Sequence, residues 1–502
     1  MKTLPAFDAF APAYQAGRPQ IVWTRLVADL ETPVSAFLKL ADGRPNSFLL
    51  ESVEGGAVRG RYSLLGLKPD LIWRCRGAKA EINRHALRDA HAFEADDRDA
   101  LASLRALIAQ SAIDLPADLP PMAAGLVGYM GYDTVRLAER LPNPPADPIG
   151  IPDGMFIRPT LIAVFDTIED VVTLVTPVRP RPGLDALAAY EQAAERLADA
   201  VADFNRQLPY RRESEIERAP IPEATANLTR SQFHAMVAKA KEYILAGDIF
   251  QVVLSQRLSA PFRLPPFALY RALRRTNPSP FLFFLDFGGF SLVGSSPEIL
   301  VRLRDGTVTI RPLAGTRKRG QTPAEDKALA ADLLADPKER AEHLMLLDLG
   351  RNDVGRVAQI GTVKVTAQME VELYSQVMHI VSNVEGTIAP GHDAMDALLA
   401  GFPAGTVSGA PKVRAMEIID ELESVKRGFY AGCVGYFSAN GSMDSCIALR
   451  TALVKDGVMH VQAGAGIVAD SDPESEYQET WNKARALIRA AEEAVRFAAR
   501  MG

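Results

Sequence analysis

The spacing of apolar and polar positions predicts two β-rich regions separated by one helix. From about Ile21 to Thr176, short apolar runs end in Gly, Pro or Asp, as in residues 47–52 and 161–165, a pattern typical of strands with intervening helices. Between Leu184 and Phe204, apolar residues recur every three or four positions and predict a single amphipathic helix, whose apolar stripe consists of Leu187, Tyr190, Ala194, Leu197, Val201 and Phe204. Residues 207–227 mix prolines with a run of charges, a composition that buries little apolar surface, and predict a linker.

The second region begins at about residue 228 with strand patterns and glycine corners and closes with a helix predicted over 473–499. One short repeat connects the regions: Gly-Leu-Val-Gly-Tyr-Met at 125–130 and Gly-Cys-Val-Gly-Tyr-Phe at 432–437. We therefore expect an α+β fold of two facing mixed or antiparallel sheets, with an N-terminal domain over 20–180 and a second domain over 228–490.

Composition favours small-molecule chemistry. The 502 residues carry a net charge of -6 with both signs mixed, so there is no basic stripe of the kind that binds nucleic acid or an anionic membrane. Cys75, Cys433 and Cys446 are far apart and lack metal-ligand spacing, which indicates reduced thiols. The first residues lack the apolar core of a secretory signal, and we expect a cytoplasmic protein.

Two segments each place a pair of glutamates near a predicted helix start. Asp336 and Asp472 are each followed by proline, the expected N-cap and first helical position. Two glutamates three residues apart then share one helix face in each segment: Glu339 with Glu342, and Glu476 with Glu479. Capping and the helix macrodipole alone can explain these acids, and that interpretation stays open for each pair.

Capping alone explains Glu342 less well. It is expected to share its helix face with Met345, Leu346 and Leu349, where burial of a carboxylate is costly without a partner. A cation removes that cost. If the two helix starts converge, their four carboxylates form an oxygen site suited to Mg²⁺.

Three glycine-containing turns, at 314–320, 405–412 and 463–466, expose backbone amides that suit an anion, although turn punctuation alone also explains each one. Arg450 is predicted to lie in a strand, on the same side as Cys446 and Ala448, and an inward arginine needs a carboxylate partner that a substrate can supply. His379 lies between apolar neighbours, and a buried histidine bonded to a backbone carbonyl is the ordinary explanation. Glu298 follows Pro297 in a turn, where an exposed carboxylate is equally ordinary.

Together these segments resemble the chorismate-utilising enzyme family over residues 228–487. Seven blocks occur in family order: Gly-Asp-Ile-Phe-Gln from 247, Gly-Ser-Ser-Pro-Glu from 294, Ala-Gly-Thr-Arg from 314, Glu-His-Leu-Met-Leu-Leu-Asp-Leu-Gly-Arg-Asn-Asp from 342, His-Ile-Val-Ser from 379, Gly-Thr-Val-Ser-Gly-Ala-Pro-Lys from 405 and Ala-Gly-Ala-Gly-Ile-Val from 463. The first region is similar to the amino-terminal region of the anthranilate synthase branch, through Leu-Leu-Glu-Ser from 49, Gly-Arg-Tyr-Ser from 60 and Gly-Leu-Val-Gly-Tyr from 125. The resemblance implies helices on the outside of the two sheets.

Two positions separate the chemistries of this family. Isochorismate and salicylate synthases have a lysine where this chain has Gln251, and aminodeoxychorismate synthases typically have one where it has Ala314. With neither lysine present, the resemblance implies a lyase that makes anthranilate and pyruvate from chorismate and ammonia, the first committed step of tryptophan biosynthesis. The rival functions are an aminodeoxychorismate synthase and a non-catalytic tryptophan-binding regulator.

The resemblance also implies roles for single residues. Glu298 is expected to protonate the departing ring hydroxyl, and His379 to act as a second acid or base. Glu342 and Glu479 are expected to hold Mg²⁺, supported by Glu339 and Glu476. The residues expected to bind chorismate are Gly315, Thr316, Thr406, Tyr430, Arg450, Gly464, Ala465, Gly466 and Lys483.

Two partners follow from the same resemblance. No cysteine-nucleophile amidotransferase segment is present, so a separate glutamine amidotransferase subunit, anthranilate synthase component II, is expected to supply ammonia. L-tryptophan is expected to inhibit by binding between Ser52 and the residues Pro280, Phe281 and Leu282. Phe281-Leu282 departs from the more usual Tyr-Met of the family, which keeps an apolar wall.

Overall fold

The computed structural model describes residues 2–54, 58–208, 223–374 and 377–500. Helices in this part of the chain are α1 (Phe7–Gln15), α2 (Pro33–Ala41), α3 (Ala100–Gln110), α4 (Ala186–Asn205), α5 (Arg230–Leu245), α6 (Pro266–Thr276), α7 (Pro323–Ala335), α8 (Pro337–Gly355), α9 (Ala394–Gly401), α10 (Lys412–Leu422) and α11 (Pro473–Arg500).

The strands of the first region are β1 (Gln20–Val27), β2 (Ser47–Glu54), β3 (Val58–Arg76), β4 (Lys79–Asn83), β5 (Glu94–Asp99), β6 (Gly125–Met130), β7 (Gly154–Asp166) and β8 (Val171–Val178). Those of the second are β9 (Thr225–Ala226), β10 (Gln251–Pro261), β11 (Phe281–Asp286), β12 (Ser291–Ser296), β13 (Ile299–Arg304), β14 (Thr307–Ile310), β15 (Leu313–Lys318), β16 (Lys364–Leu373), β17 (Val377–Thr387), β18 (Gly409–Ala410), β19 (Cys433–Ser438), β20 (Met443–Ile447), β21 (Thr451–Lys455) and β22 (Val458–Ile467).

Both predicted long helices are confirmed, but the buried face of α4 differs from the predicted stripe. Asp185 caps α4 through the backbone N–H of Ala188. The face that packs consists mainly of alanines and ends with Leu197 and Phe204, whereas Leu187 is 51% exposed. Small alanines allow close approach of the helix to the sheet, and the apolar pattern gave them too little weight.

Strand pairing runs continuously from one region into the other. β2 pairs with β11 and β6 pairs with β19, both antiparallel. The repeated Gly-x-Val-Gly-Tyr motif therefore forms two neighbouring strands, with Gly128 opposite Gly435. A Cβ at Gly128 would lie 2.0 Å from the carbonyl oxygen of Met155, which explains why glycine is required at that position.

The strands carry apolar side chains on both faces. Leu64 of β3 and Phe283 of β11 belong to one buried cluster, while their neighbours Leu65 and Phe284 belong to a second. The second cluster also contains the buried faces of α4, α6 and α11. The predicted α+β class, with antiparallel sheets covered by helices, is confirmed.

Three other predictions concern the rest of the chain. Residues 209–222 of the predicted linker lie outside the described residues, and its end forms β9, which pairs with β10. Cys75, Cys433 and Cys446 are all buried and free, as expected. No helix in the described ranges is both long and apolar enough to cross a membrane.

Candidate active site

Glu298 lies between β12 and β13 and is 7% exposed, so the alternative of an exposed turn carboxylate is wrong. Its carbonyl oxygen accepts a 3.1 Å hydrogen bond from the backbone N–H of Ile447, which fixes it against β20. Burial raises the pKa of the carboxyl from 4.5 to about 8, and the Thr406 hydroxyl, the Leu313 N–H and the Arg450 charge oppose this only in part. Glu298 is therefore largely protonated at neutral pH.

Arg450 has a left-handed backbone, with φ of 49°, between β20 and β21, so its predicted strand conformation is wrong. Its carbonyl oxygen accepts a 3.1 Å hydrogen bond from Ser295 N–H. Burial lowers the pKa of the guanidinium, and within the described ranges Glu298 is the one carboxyl group that opposes this. Since Glu298 is largely neutral at pH 7, the positive charge of Arg450 is left without a compensating anion.

His379 is held on β17 facing the loop of β15. Its Nδ1 lies 2.9 Å from the carbonyl oxygen of Gly315 and 3.1 Å from the hydroxyl of Thr316. A carbonyl oxygen only accepts, so Nδ1 carries the proton and Nε2 is left as an acceptor. Burial lowers the pKa of His379 to about 4, and the ring is neutral at physiological pH. His379 is therefore bonded to a backbone carbonyl, as the structural explanation expected, and its Nε2 remains available as an acceptor.

Gly315 allows this part of β15 to lie against the start of α8. Its φ is +69°, and a Cβ there would lie 3.1 Å from Oε2 of Glu339. Arg317 in the same loop pairs with Asp332 at 2.9 Å, Asp336 at 2.8 Å and Glu339 at 3.0 Å. Glu339 is therefore engaged by an arginine, a contact that the sequence did not predict, although Arg317 stands in one of the quoted blocks.

The two predicted helix starts do converge. The N-cap role of Asp336 is confirmed by its bonds to the N–H groups of Lys338 and Glu339, and Lys338 reaches Asp470, just before α11, at 3.2 Å. Burial, the charge of Glu339 and that of Glu479 all raise the pKa of Glu342. These Coulombic effects require that carboxylates of both helices lie near one another.

The helix face of Glu342 predicted that its carboxylate packs against apolar side chains. The structure does not show this packing. The residue is exposed to solvent, while Leu346 one turn later is buried. Protein atoms still surround the carboxylate closely enough to raise its pKa, as for a side chain that lines an open concavity.

The predicted turn at 463–466 is wrong, because these residues are part of strand β22 and pair with β10. Lys483 connects α11 to this glycine-containing segment of β22. Its Nζ lies 2.7 Å from Glu479 and donates a 3.0 Å hydrogen bond to the carbonyl oxygen of Gly464. Burial and the neighbouring Glu479 raise the pKa of Glu476. Among the residues that the structure describes, no three acidic, histidine or cysteine side chains are arranged as a metal site. The crowded carboxylates nevertheless offer the oxygen donors that Mg²⁺ prefers.

The opposite wall consists of β22, β10 and Tyr430. The Tyr430 side chain is buried, and its hydroxyl would lie 2.8 Å from a Cβ at Gly464. A Cβ at Gly466 would come 2.4 Å from Nε2 of Gln251, whose Oε1 is buried without a hydrogen-bond partner in the described chain. Ala465 between the two glycines is fully buried. The glycines thus leave space beside Tyr430 and Gln251.

A buried ion pair that the sequence analysis missed supports this wall. Arg427 donates to the carbonyl oxygens of Val407 and Val253, both at 2.6 Å, and pairs with Glu423 at 2.6 Å. Val407 follows Thr406, whose hydroxyl is buried without a partner of good geometry. The opposite charges four residues apart could have indicated this ion pair, but exposed ion pairs have the same spacing, so the spacing alone does not identify a buried one.

The predicted inhibitor residues are adjacent in space. Glu51 of β2 lies opposite Leu282 of β11, and Ser52 and Phe281 are the chain neighbours of this pair. Leu282 is 2% exposed and packs in the core, whereas Phe281 is only partly buried. Beneath them, Glu51 pairs with Arg274 at 2.6 Å, which the sequence analysis also missed. Phe281 in turn pairs with Ser296, two residues before Glu298.

Comparisons with known proteins identify the family of this chain. A family model described as chorismate binding enzyme matches residues 61–489. Anthranilate synthase component 1 of Cereibacter sphaeroides is 62% identical over 499 residues, covering 99% of this chain and 100% of that protein. The Thermus thermophilus protein of the same name is 49% identical, covering 93% and 96%.

Solved structures give the same result. Anthranilate synthase component I from Streptococcus pneumoniae superposes with a TM-score of 0.74 at 41% identity, covering 86% of this chain and 92% of that one. The menaquinone-specific isochorismate synthase of Escherichia coli, at 21% identity and a TM-score of 0.69 over 95% of each chain, shares the fold. The chain belongs to the chorismate binding enzyme family and, within it, to the group of anthranilate synthase component 1.

Proposed function

We propose that this protein is a lyase that converts chorismate and ammonia into anthranilate, pyruvate and water. One observation carries the proposal: a buried, protonated carboxyl group at Glu298 lies beside the uncompensated positive charge of Arg450. A site with an acid and an anion-binding cation suits a dicarboxylate substrate that must lose a hydroxyl group.

Glu298 supplies the proton for that loss. Hydroxide is a poor leaving group, so the ring hydroxyl departs as water after protonation by the neutral carboxyl. A carboxyl with an ordinary pKa would already be ionised at neutral pH, whereas the pKa of about 8 keeps the proton available.

Arg450 binds one carboxylate of chorismate, which provides the anion that the guanidinium lacks. Backbone amides of Gly315, Gly464, Ala465 and Gly466 and the hydroxyls of Tyr430, Thr316 and Thr406 are the further substrate contacts. Lys483 donates a hydrogen bond to the Gly464 carbonyl oxygen and so orients this part of β22.

Mg²⁺ binds at the convergence of α8 and α11, where Glu342 and Glu479 are the ligands and Glu339 and Glu476 support them. Burial, and to a smaller extent neighbouring carboxylates, raise the pKa of Glu342 and of Glu476, and a bound divalent cation would offset both effects. When bound, the ion neutralises and orients a substrate carboxylate.

Ammonia attacks the ring on the side of Gln251 and His379. His379 stays the proposed second acid or base: its neutral ring offers Nε2 as a hydrogen-bond acceptor to the attacking nitrogen, although the pKa of about 4 makes the imidazole a weak base. Gln251 carries an amide in place of the lysine amine that serves as the base for water in the hydroxylating synthases, so hydroxylation is disfavoured.

Two partners complete the proposal. A separate glutamine amidotransferase subunit, component II, supplies ammonia. L-tryptophan inhibits by binding between Ser52 and Pro280, Phe281 and Leu282, and the β11–β12 pairing that leads from Phe281 towards Glu298 supports this position. A tryptophan titration that changes neither activity nor melting temperature would remove the inhibitor assignment.

The decisive experiment is anthranilate fluorescence with the purified chain, chorismate, Mg²⁺ and excess ammonium. Emission that disappears with a chelator is the expected result. Chorismate consumption without anthranilate would assign the chain to another synthase of the family, and the absence of consumption would refute a catalytic role.

A further inference from the structure

A tyrosine that the sequence analysis did not single out, Tyr374, stands next to the imidazole of His379. The two ring centroids are 5.4 Å apart and the ring planes are inclined by 64°, which is an edge-to-face contact. Tyr374 is partly buried, whereas His379 is only 4% exposed. The tyrosine ring is therefore one of the groups that keep the imidazole away from water.

The hydroxyl of Tyr374 is held by a charged carboxylate. It donates a 2.9 Å hydrogen bond to Oε2 of Glu372, and Arg311 donates a 2.5 Å hydrogen bond to Oε1 of the same carboxylate. Glu372 of β16 lies opposite His379 of β17 in an antiparallel pair, so both side chains leave the sheet on the same face. Glu372 thus ties the tyrosine to the strand that neighbours His379.

The backbone of Tyr374 is fixed as well. Its N–H donates a 2.8 Å hydrogen bond to the carbonyl oxygen of Val377, and its own carbonyl oxygen accepts one of 2.6 Å from Arg319. Arg319 is in turn paired with Asp326 at 2.6 Å. A tyrosine held at three polar groups moves little, which is what a rigid support for a reacting side chain requires.

The hydrogen bonds of His379 fix one ring atom but not the plane of the ring. Those found in the described part of the chain involve Nδ1, which faces Gly315 and Thr316. The second side-chain torsion of histidine is broad, so the ring can still tilt about this atom and turn Nε2 away from the attacking nitrogen. An aromatic ring packed against the imidazole removes that freedom. A displacement of about 1 Å in a reacting group can lower a rate by roughly 10²-fold.

The charges around the two rings place Tyr374 within the proposed active site. Burial has the largest effect on the pKa of His379 and lowers it to about 4, while Arg450 lowers it further and Glu372 raises it. Burial, Glu372 and Glu298 all raise the pKa of the Tyr374 hydroxyl, which is therefore a neutral donor. Tyr374 lies within the field of both proposed catalytic residues.

We propose that Tyr374 is a positioning residue: its ring, tied to Glu372, sets the plane of the His379 imidazole so that Nε2 faces the attacking nitrogen. This inference rests on the proposed function, because it supports the role that His379 has there. Tyr374 acts through His379 and needs no contact with chorismate of its own.

Steady-state kinetics of the whole chain test this role. Tyr374→Ala should lower kcat for anthranilate formation roughly tenfold and change the KM for chorismate less than about twofold, because Arg450 is untouched. Tyr374→Phe keeps the ring and should keep kcat within about threefold of the wild type. Tyr243→Ala is the matched control, because it removes a tyrosine–glutamate hydrogen bond of the same kind, to Glu421 at 2.8 Å, and it should leave both constants unchanged.

Nitrogen-15 NMR of the labelled histidine side chains gives a measurement that does not depend on turnover. The signal of His379 is identified by its absence from His379→Gln. Removing the Tyr374 ring admits water, so Tyr374→Ala should raise the pKa of His379 from about 4 toward its ordinary value of 6.5. Tyr374→Phe should leave it unchanged. A variant that only destabilised the fold would not shift this single pKa.

Glu372→Gln is a second test in which the tyrosine ring stays in place, and little burial is lost because the Glu372 side chain is 38% exposed. It weakens the hydrogen bond that holds the Tyr374 hydroxyl and should lower kcat roughly threefold. The inference is overturned if Tyr374→Ala and Glu372→Gln keep normal kcat, if Tyr374→Phe loses as much as Tyr374→Ala, or if the pKa of His379 is the same in both tyrosine variants. A wild-type chain that makes no anthranilate would refute the proposed function alone, since the NMR titration needs no turnover.

Discussion

Replacing Glu298 with glutamine should inactivate the enzyme and stabilise the protein. Glutamine keeps the size of the side chain but has no acidic proton to give to the departing hydroxyl. We expect turnover to fall by roughly 10²- to 10⁴-fold, the usual contribution of a general acid. The KM for chorismate should change less, because Arg450 and the glycine turns are untouched.

The stabilisation follows from the pKa of Glu298. In the unfolded chain this carboxyl ionises near its ordinary value of 4.5, whereas in the folded protein it stays protonated up to about pH 8. Its contribution to stability is complete below the lower value and is lost as pH rises through the upper one. Each pH unit between them costs the wild type about 1.4 kcal/mol relative to a glutamine that does not titrate, or roughly 3 kcal/mol between about pH 5.5 and 7.5.

Urea unfolding at these two pH values measures the change, and anthranilate fluorescence measures turnover. Asp286→Asn is the matched control, because Asp286 is also a carboxyl whose pKa is raised by burial but lies away from the proposed active site. This control should show the same sign of stabilisation and keep its turnover. The reasoning is refuted if Glu298→Gln retains normal turnover, or if its stability and that of the wild type change in parallel with pH.

Three further substitutions test separate parts of the site. Arg450→Gln should raise the KM for chorismate by roughly 10²-fold, and Arg450→Lys should recover part of the loss; equal KM values for wild type and glutamine variant would refute the carboxylate contact. Glu342→Gln should shift the Mg²⁺ titration of activity to at least roughly tenfold higher concentration, and an unchanged titration would exclude Glu342 as a ligand. Arg427→Met should destabilise the fold by roughly 3–5 kcal/mol in urea unfolding, because Glu423 is then buried without its cation and keeps only hydrogen bonds from Ser255, and adding Glu423→Gln should restore part of the stability.

Periodicity predicted the elements well where they are long. The final helix was placed within a residue of its observed end, and α4 within two residues of both ends. The buried face of α4 was misplaced at Leu187, because tertiary packing selected the alanines that permit close approach. Arg450 shows a similar limit, since the strand-like spacing that includes Cys446 and Ala448 does not reveal the left-handed turn at its end.

Some residues of the candidate site were likewise identified from the sequence, and others were missed. The blocks around Glu298, His379 and Glu342 were identified from residue types and order, because their chemistry is carried by the side chains themselves. The ion pair of Arg427 with Glu423 was missed, as were the contacts of Arg317, since no local pattern distinguishes a buried charge pair from an exposed one.

The sequence by itself determined the two long helices, that two helix starts carry paired glutamates, and which family the chain resembles, because these depend on local propensity and on the order of motifs. Only the tertiary structure decided that α8 and α11 converge, that β6 pairs with β19, and that Glu298 is buried beside Arg450. The shifted pKa of Glu298 arises from desolvation by residues distant in the chain, and that environment exists only after folding.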